Sequence, residues 1–225
     1  MLNYLIELDK SLFLFFNSHH TLYLDQIMWV ITGKIVWIPL ILSFVYIFFK
    51  KGWKEGLLVT IILVLTVAIC DQISSGICKP LFERLRPTHD PEFSHYVTTV
   101  NGYLGGKYGF ISSHAANAFG LAIISSLIFK NRLYTISIIV WALLSCYSRM
   151  YLGVHYPGDI LCGALVGVAS GYFCYKMYQK LHGKFVDKTP IPYTNDKNIN
   201  IVLSVLYITY IFILVFSPLI NFKIK

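Results

Sequence analysis

LLVTIILVLTVAIC, residues 57 to 70, runs fourteen positions without a charge, a glycine or a proline. With its flanks it reaches the roughly 20 residues that an α-helix needs to cross a hydrocarbon core. A second run, IVLSVLYITYIFILVF (201–216), has the same purity. The chain around them has 225 residues, of which 56% are hydrophobic and 13% charged. An average soluble domain carries about 25% charged residues, and the mean hydropathy here is +0.62. These features describe an all-α integral membrane protein.

Working outward from residues 57–70, the hydropathy pattern predicts a bundle of about six transmembrane helices. They fall near 24–49, 54–77, 111–129, 132–150, 157–178 and 198–217. Residues 2–17 mix charge with Leu and Phe at helical spacing, which suits a helix lying in the interface. Glu7, Asp9 and Lys10 interrupt that segment, so it does not read as a secretory signal. The whole chain, 1–225, is expected to form a single membrane domain. Within it, 1–23 is an N-terminal interfacial helix, 24–178 a catalytic helical core, 179–197 a cytoplasmic linker and 198–225 a C-terminal transmembrane helix. Gly33, Lys34 and Pro39 make the first span irregular.

The net charge of +8 sits in short connections rather than on a soluble basic face, which argues against nucleic-acid binding. KKGWK (50–54), KNR (130–132) and the lysines of 176–197 share one side, and such an excess marks the cytoplasmic face. Segment 78–110 and the turn 149–157 then lie on the extracytoplasmic face. The glycines and aromatics of 78–110 suit an ordered, substrate-facing loop. The five cysteines form no CxxC pair and read as small apolar filler. No obligate protein partner is evident.

Three polar clusters meet on the extracytoplasmic side. In SRMYLGVHYPGD (148–159), Pro157 suits the first position of a helix. Asp159 then falls in the first turn, where the helix dipole favours a carboxylate. His155 lies within reach of it. An aspartate on one imidazole nitrogen fixes the tautomer and leaves the other nitrogen free as a nucleophile. In GFISSHAAN (109–117), Ser112 is a helix N-cap, its helix start offers free N–H groups to an anion, and His114 could protonate a leaving oxygen. In KPLFERLRP (79–87), Lys79, Arg84 and Arg86, with Arg149, supply the positive charge that phosphoryl transfer requires. Each cluster alone has an ordinary reading: an interfacial histidine, a capped helix, snorkelling basic residues. Together they describe phosphate chemistry. No acidic cluster and no Cys/His set has metal-ligand spacing, so neither a metal nor another cofactor is expected.

Lys79 with Arg86-Pro87 fits K-x6-R-P, and Ser148-Arg149 with His155 and Asp159 fits S-R-x5-H-x3-D. Ser112 and His114 between them fit P-S-G-H in part, with Ile111 and Ser113 at the family's proline and glycine. The chain resembles the type 2 phosphatidic acid phosphatase family of membrane lipid phosphatases, by motif over 79–159 and by helix layout over about 24–178. The stretch NGYLGGKYGFISSHAANAFG is similar to small bacterial members that use S-S-H. The resemblance implies that His155 attacks phosphorus to form a phosphohistidine and that Asp159 orients it. It implies that His114 protonates the leaving group and then activates water. Lys79, Arg86, Ser112, Ser113 and Arg149 are the implied phosphate-binding residues.

The expected function is removal of phosphate from a lipid phosphate or diphosphate in a bacterial inner membrane, at the periplasmic face. Undecaprenyl diphosphate is the substrate expected first, because a small helical core suits a long isoprenoid chain. Lipid A 1-phosphate, phosphatidylglycerol phosphate and phosphatidate are the alternatives. A transporter is the competing class. Its ionisable residues would line a path across the bilayer, whereas here they gather at one surface.

Overall fold

The apolar run 57–70 becomes the middle of a long helix, and the way that helix continues sets up the site. In the computed structural model, which describes residues 2–186, 193 and 197–219, α4 spans Trp53–Asp71. It passes through a π-helical segment, Gln72–Cys78, into the short α5, Lys79–Phe82. The 30 residues act as one apolar rod. A π segment widens the turn and is found mostly at functional sites; this one delivers Lys79 to the end of the rod.

The other elements follow in order. Helix α1 is Leu2–Asn17, α2 is Leu22–Thr32, and α3 is Ile38–Lys50 after a 3₁₀ turn at Ile35–Trp37. After α5 come α6 (Ser113–Phe129), α7 (Arg132–Tyr151), α8 (Pro157–Phe185) and α9 (Ile199–Phe216). Among the described residues, four helices are long and apolar enough to cross a membrane, and α2 with the segment 35–50 makes a fifth, bent by 64°. Against the expected count of about six, the remaining expected span, α6, is a shorter apolar helix of 17 residues.

The bend corrects the expectation of one continuous span over 24–49. The chain breaks at Gly33, whose backbone is extended (φ −70°, ψ 148°). Pro39 stands in the first turn of α3, where its missing N–H would be unpaired in any case. A carbonyl freed at the end of α2, that of Ile31, accepts instead from Trp37 Nε1 at 2.9 Å. The expected linker at 179–197 also begins later, because α8 continues to Phe185. Its last turns are held by His182, whose Nε2 lies 3.3 Å from Glu55 on α4. Residues 187–192 and 194–196 of that linker lie outside the described residues, as do 220–225 of the C-terminal segment. Tyr193 packs back against Phe48 and Phe129, with ring centroids 5.5 and 5.7 Å away.

The tightest helix pair is α6 against α8. A Cβ added at Gly163 would strike Ser112 O, one at Gly167 would strike Ala116 O, and one at Gly171 would lie 2.6 Å from Gly120 O. Glycines four residues apart present one bare face, which lets two backbones touch. The start of α6 is further tied to the start of α8 by the Ser112 N–H, which donates to Asp159 O at 3.0 Å. The same end of the bundle holds the tip of α5, the end of α7 and the loop 83–112.

Replacing Gly167 by leucine therefore tests the contact on which the site is built. Thermal unfolding in detergent should show Gly167→Leu destabilised by about 1–3 kcal/mol or more, the range for overpacking. Gly183→Leu should unfold like wild type, since a Cβ at Gly183 meets nothing within 4 Å. Equal stability of the two variants would show that the close contact does not hold the bundle.

Candidate active site

The turn into α8 is built around one carboxylate. Pro157 opens the helix and Asp159 stands in its first turn. Asp159 Oδ2 accepts the Tyr156 N–H at 3.1 Å and lies 3.4 Å from His155 Nδ1. Both side chains are sealed from solvent, at 0% and 1% exposure. On the other side of the imidazole, Arg86 Nη1 lies 3.2 Å from His155 Nε2. A guanidinium can only donate. Nε2 therefore carries the lone pair, and the ring proton sits on Nδ1, facing Asp159.

Arg86 is itself fixed by two backbone carbonyls, Tyr108 O and Val154 O, each at 3.2 Å. Burial is the main cause that holds His155 well below the ordinary histidine range, and the charges of Arg86, Arg149 and Lys79 add to it. The imidazole is neutral, as a nucleophile must be.

The two remaining cations come from two further helices. Lys79 Nζ, at the tip of the α4–α5 rod, donates to Ser75 Oγ at 3.0 Å and Ser113 Oγ at 3.2 Å. Ser113 stands at the family's glycine position, and its hydroxyl orients this lysine. Arg149, at the end of α7, donates to Thr32 Oγ1 at 2.6 Å and the Tyr103 hydroxyl at 3.2 Å. Its Nε is buried and has no hydrogen-bond partner among the described residues. A buried guanidinium donor without an acceptor is costly, and an anion would satisfy it. Ser112 caps α6, accepting the Ala115 N–H at 3.4 Å. His114 follows in the first turn, partly buried and close enough to Arg149 and Arg86 for their charges to act on it.

All eight residues expected from sequence, Lys79, Arg86, Ser112, Ser113, His114, Arg149, His155 and Asp159, thus meet at one end of the bundle. Arg84 does not join them as a phosphate ligand. It is spent on two carboxylates, donating to Asp159 Oδ1 at 2.9 Å and to Asp9 Oδ2 at 2.6 Å. Sequence reasoning also passed over Asp9, Thr32 and Tyr103, whose partners are too distant in the chain for any local pattern to show. Burial alone would push the Tyr103 phenol up, but Arg149 and Arg86 beside it bring it below its usual value. Two loop glycines carried a readable signal. A Cβ at Gly109 would lie 2.9 Å from Asp159 Oδ2, and one at Gly105 2.9 Å from Arg86 Nη1.

The segment that carries this cradle matches a known family. A family model described as PAP2 superfamily matches residues 56–182. The chain belongs to the PAP2 superfamily. Two curated relatives carry the name lipid A 4'-phosphatase. The protein from Bacteroides thetaiotaomicron is 40% identical over 85% of this chain and 86% of its own length. That from Porphyromonas gingivalis is 44% identical over 79% of this chain and 75% of its own. Among solved structures, the LpxE crystal structure from Aquifex aeolicus aligns with a TM-score of 0.59 at 26% identity. That alignment covers 74% of this chain and 93% of the other. This PAP2 protein is a multi-pass membrane enzyme, a lipid phosphatase.

The buried neutral histidine of the PAP2 site has a consequence for stability. His155 titrates near 6.5 in an unfolded chain and well below that when folded. Below about pH 6.5 the unfolded state binds a proton that the folded state refuses, so stability falls as pH falls, by up to about 1.4 kcal/mol per pH unit. Thermal unfolding from pH 7.5 to 5 should show a shallower decline for His155→Asn than for wild type. Parallel curves would contradict a neutral buried imidazole.

Proposed function

We propose that this chain removes the 4'-phosphate of lipid A at the extracytoplasmic face of the bacterial inner membrane, through a phosphohistidine on His155. One arrangement carries the chemistry. A buried neutral imidazole has its Nδ1 toward a carboxylate and its Nε2 toward a guanidinium, inside a ring formed by Lys79, Arg86 and Arg149. A phosphate that accepts from Arg86 in place of Nε2 is held against the nitrogen lone pair.

The steps follow from that geometry. Nε2 of His155 attacks phosphorus as the bond to the sugar oxygen breaks, and Asp159 stabilises the positive charge that develops on the ring. Lys79, Arg86, Arg149 and the N–H groups at the start of α6 hold the phosphoryl oxygens, whose charge changes most in the transition state. His114 gives its proton to the departing sugar oxygen. It then takes a proton from water, whose oxygen attacks phosphorus and releases inorganic phosphate from His155.

The orientation rests on the basic connections 50–54 and 130–132, which favour the cytoplasmic side and leave the site outside. The lipid character of the substrate is supported by an apolar cavity of about 380 Å³ between α3, α4, α6 and α7, lined by Leu40, Phe44, Leu63, Val67, Leu121 and Ile138. Trp141, which also lines it, precedes Arg149 on α7 by a helical rise of roughly 12 Å. A hydrocarbon chain fits such walls. Undecaprenyl diphosphate, expected first from the sequence, gives way to lipid A because relatives at 40% and 44% identity are lipid A 4'-phosphatases.

The deciding assay measures phosphate release by purified protein from bis-phosphorylated lipid A, lipid A 1-phosphate, undecaprenyl diphosphate and phosphatidylglycerol phosphate, with EDTA present. Release from the 4' position should dominate and survive chelation. Faster turnover of undecaprenyl diphosphate, or activity that returns only with added metal, would overturn the proposal.

The two histidines should also separate. His155→Ala should abolish turnover of every substrate. His114→Ala should cost roughly 10²–10⁴-fold on lipid A, whose sugar oxygen leaves as a poor leaving group, and less on a diphosphate, whose leaving group is a phosphate. Wild-type turnover by His155→Ala would exchange or remove these roles.

A further inference from the structure

The phosphate cradle accounts for Lys79, Arg86 and Arg149, but the cation nearest Asp159 faces away from it. Arg84 reaches two carboxylates from distant parts of the chain, Asp159 on α8 and Asp9 on α1. Its guanidinium lies 4.4 Å from the Tyr156 ring centroid, which fixes its plane. Asp9 has a second partner, the Gly158 N–H at the start of α8, at 2.7 Å. Glycine at 158 permits this approach, since a Cβ there would lie 2.9 Å from Asp9 Oδ2. Asp159, fully buried, divides its oxygens: Oδ1 goes to Arg84, and Oδ2 to the Tyr156 N–H and the His155 side.

The division needs an explanation. An arginine beside a buried carboxylate ordinarily binds both oxygens with two parallel N–H bonds. That geometry at Asp159 would draw Oδ2 off the imidazole. Asp9 engages Nη2 instead, so that Arg84 gives Asp159 a single bond, from Nη1.

We propose that Asp9 and Arg84 are positioning residues. Arg84 keeps Asp159 in place with a single bond, and Asp9, by holding the other half of the guanidinium, leaves Asp159 Oδ2 for His155. The N-terminal helix is thereby part of the catalytic apparatus, although Asp9 and its partner Gly158 are 149 residues apart in the chain. The proposal rests on the reading of His155 as nucleophile.

A double-mutant cycle tests it. Asp9→Asn should lower kcat on the lipid substrate by about 10–100-fold, the scale for a misplaced catalytic group, with KM within about two-fold of wild type. Asp9→Glu should recover most of that loss. In an Asp159→Asn background, Asp9→Asn should cost less than about three-fold, because groups that act through one another are non-additive. Phe13→Ala is the control for docking of α1. Phe13 packs on Phe93 and Tyr156, at 5.7 and 5.6 Å between ring centroids, and has no polar group to bond the carboxylates. It should lower the unfolding temperature and leave kcat within about three-fold.

Equal losses for Asp9→Asn in both backgrounds, or an equal loss of kcat in Phe13→Ala, would reduce Asp9 to an anchor and overturn the proposal. A second readout needs no turnover. In protein labelled with ¹⁵N-histidine, wild type should show a downfield Nδ1 proton on His155, assigned by its loss in His155→Asn. Asp9→Asn should shift it upfield. An unchanged signal also overturns the proposal. Because the signal is read without substrate, that result holds even if the assigned lipid or the assigned nucleophile is wrong.

Discussion

The backbone contact between α6 and α8 is the constraint on which the site depends. Gly163, Gly167 and Gly171 leave no side chain between the helices, and carbonyls of Ser112, Ala116 and Gly120 occupy the space a Cβ would need. With ordinary side chains there, helix axes stand about 8–10 Å apart, and the start of α6 would move off the start of α8. His114 and the free N–H groups of α6 would then no longer face His155 and Asp159. Two rigid rods in contact along their length also fix register. The first turns of both helices therefore share one level, and the Ser112 N–H meets the Asp159 carbonyl.

A second requirement is electrostatic. Arg86 and Arg149 are buried, and Lys79 is partly so. Burying like charges together is unfavourable unless each finds acceptors. The protein supplies neutral ones: two carbonyls for Arg86, Thr32 and Tyr103 for Arg149, Ser75 and Ser113 for Lys79. Hydroxyls and carbonyls accept from these cations without cancelling the charge, and leave Arg149 Nε unpaired. The carboxylates stay on the far side of the imidazole, where Arg84 holds them. The positive field is consequently left uncancelled on the Nε2 side of the imidazole. The residue that must remain neutral, His155, does so chiefly because it is buried, and the same field adds to the effect.

The loop between α5 and α6 owes its order to the same partners. The Arg86 N–H bonds Lys107 O at 3.1 Å and the Gly109 N–H bonds Arg84 O at 2.8 Å, closing the loop on itself. Its far side is pinned by Asn17 of α1, which accepts the Thr98 N–H at 2.8 Å and donates to the Tyr151 carbonyl at 2.8 Å. One amide thus ties the N-terminal helix, the loop and the turn that carries His155. The π-helical widening before Lys79 completes the approach from the opposite side.

The helices, the membrane class and the eight residues of the cradle are legible in the amino-acid order alone, because those features are local. Apolar runs reveal spans, Pro157 and Ser112 reveal helix starts, and His155 with Asp159 lie within about one helical turn of each other. Even the break at Gly33–Pro39 was visible as irregularity, although its 64° bend was not. Gly163, Gly167 and Gly171 also spell a bare helix face, a signal that was present and passed over. How the cations divide is settled only by the folded chain. Arg84 and Arg86 differ by two positions and have the same chemistry. One faces His155 Nε2 and the other faces Asp9 and Asp159, and only the approach of α1 to α8 distinguishes them. That approach depends on contacts between residues separated by most of the chain, and no period or spacing records it.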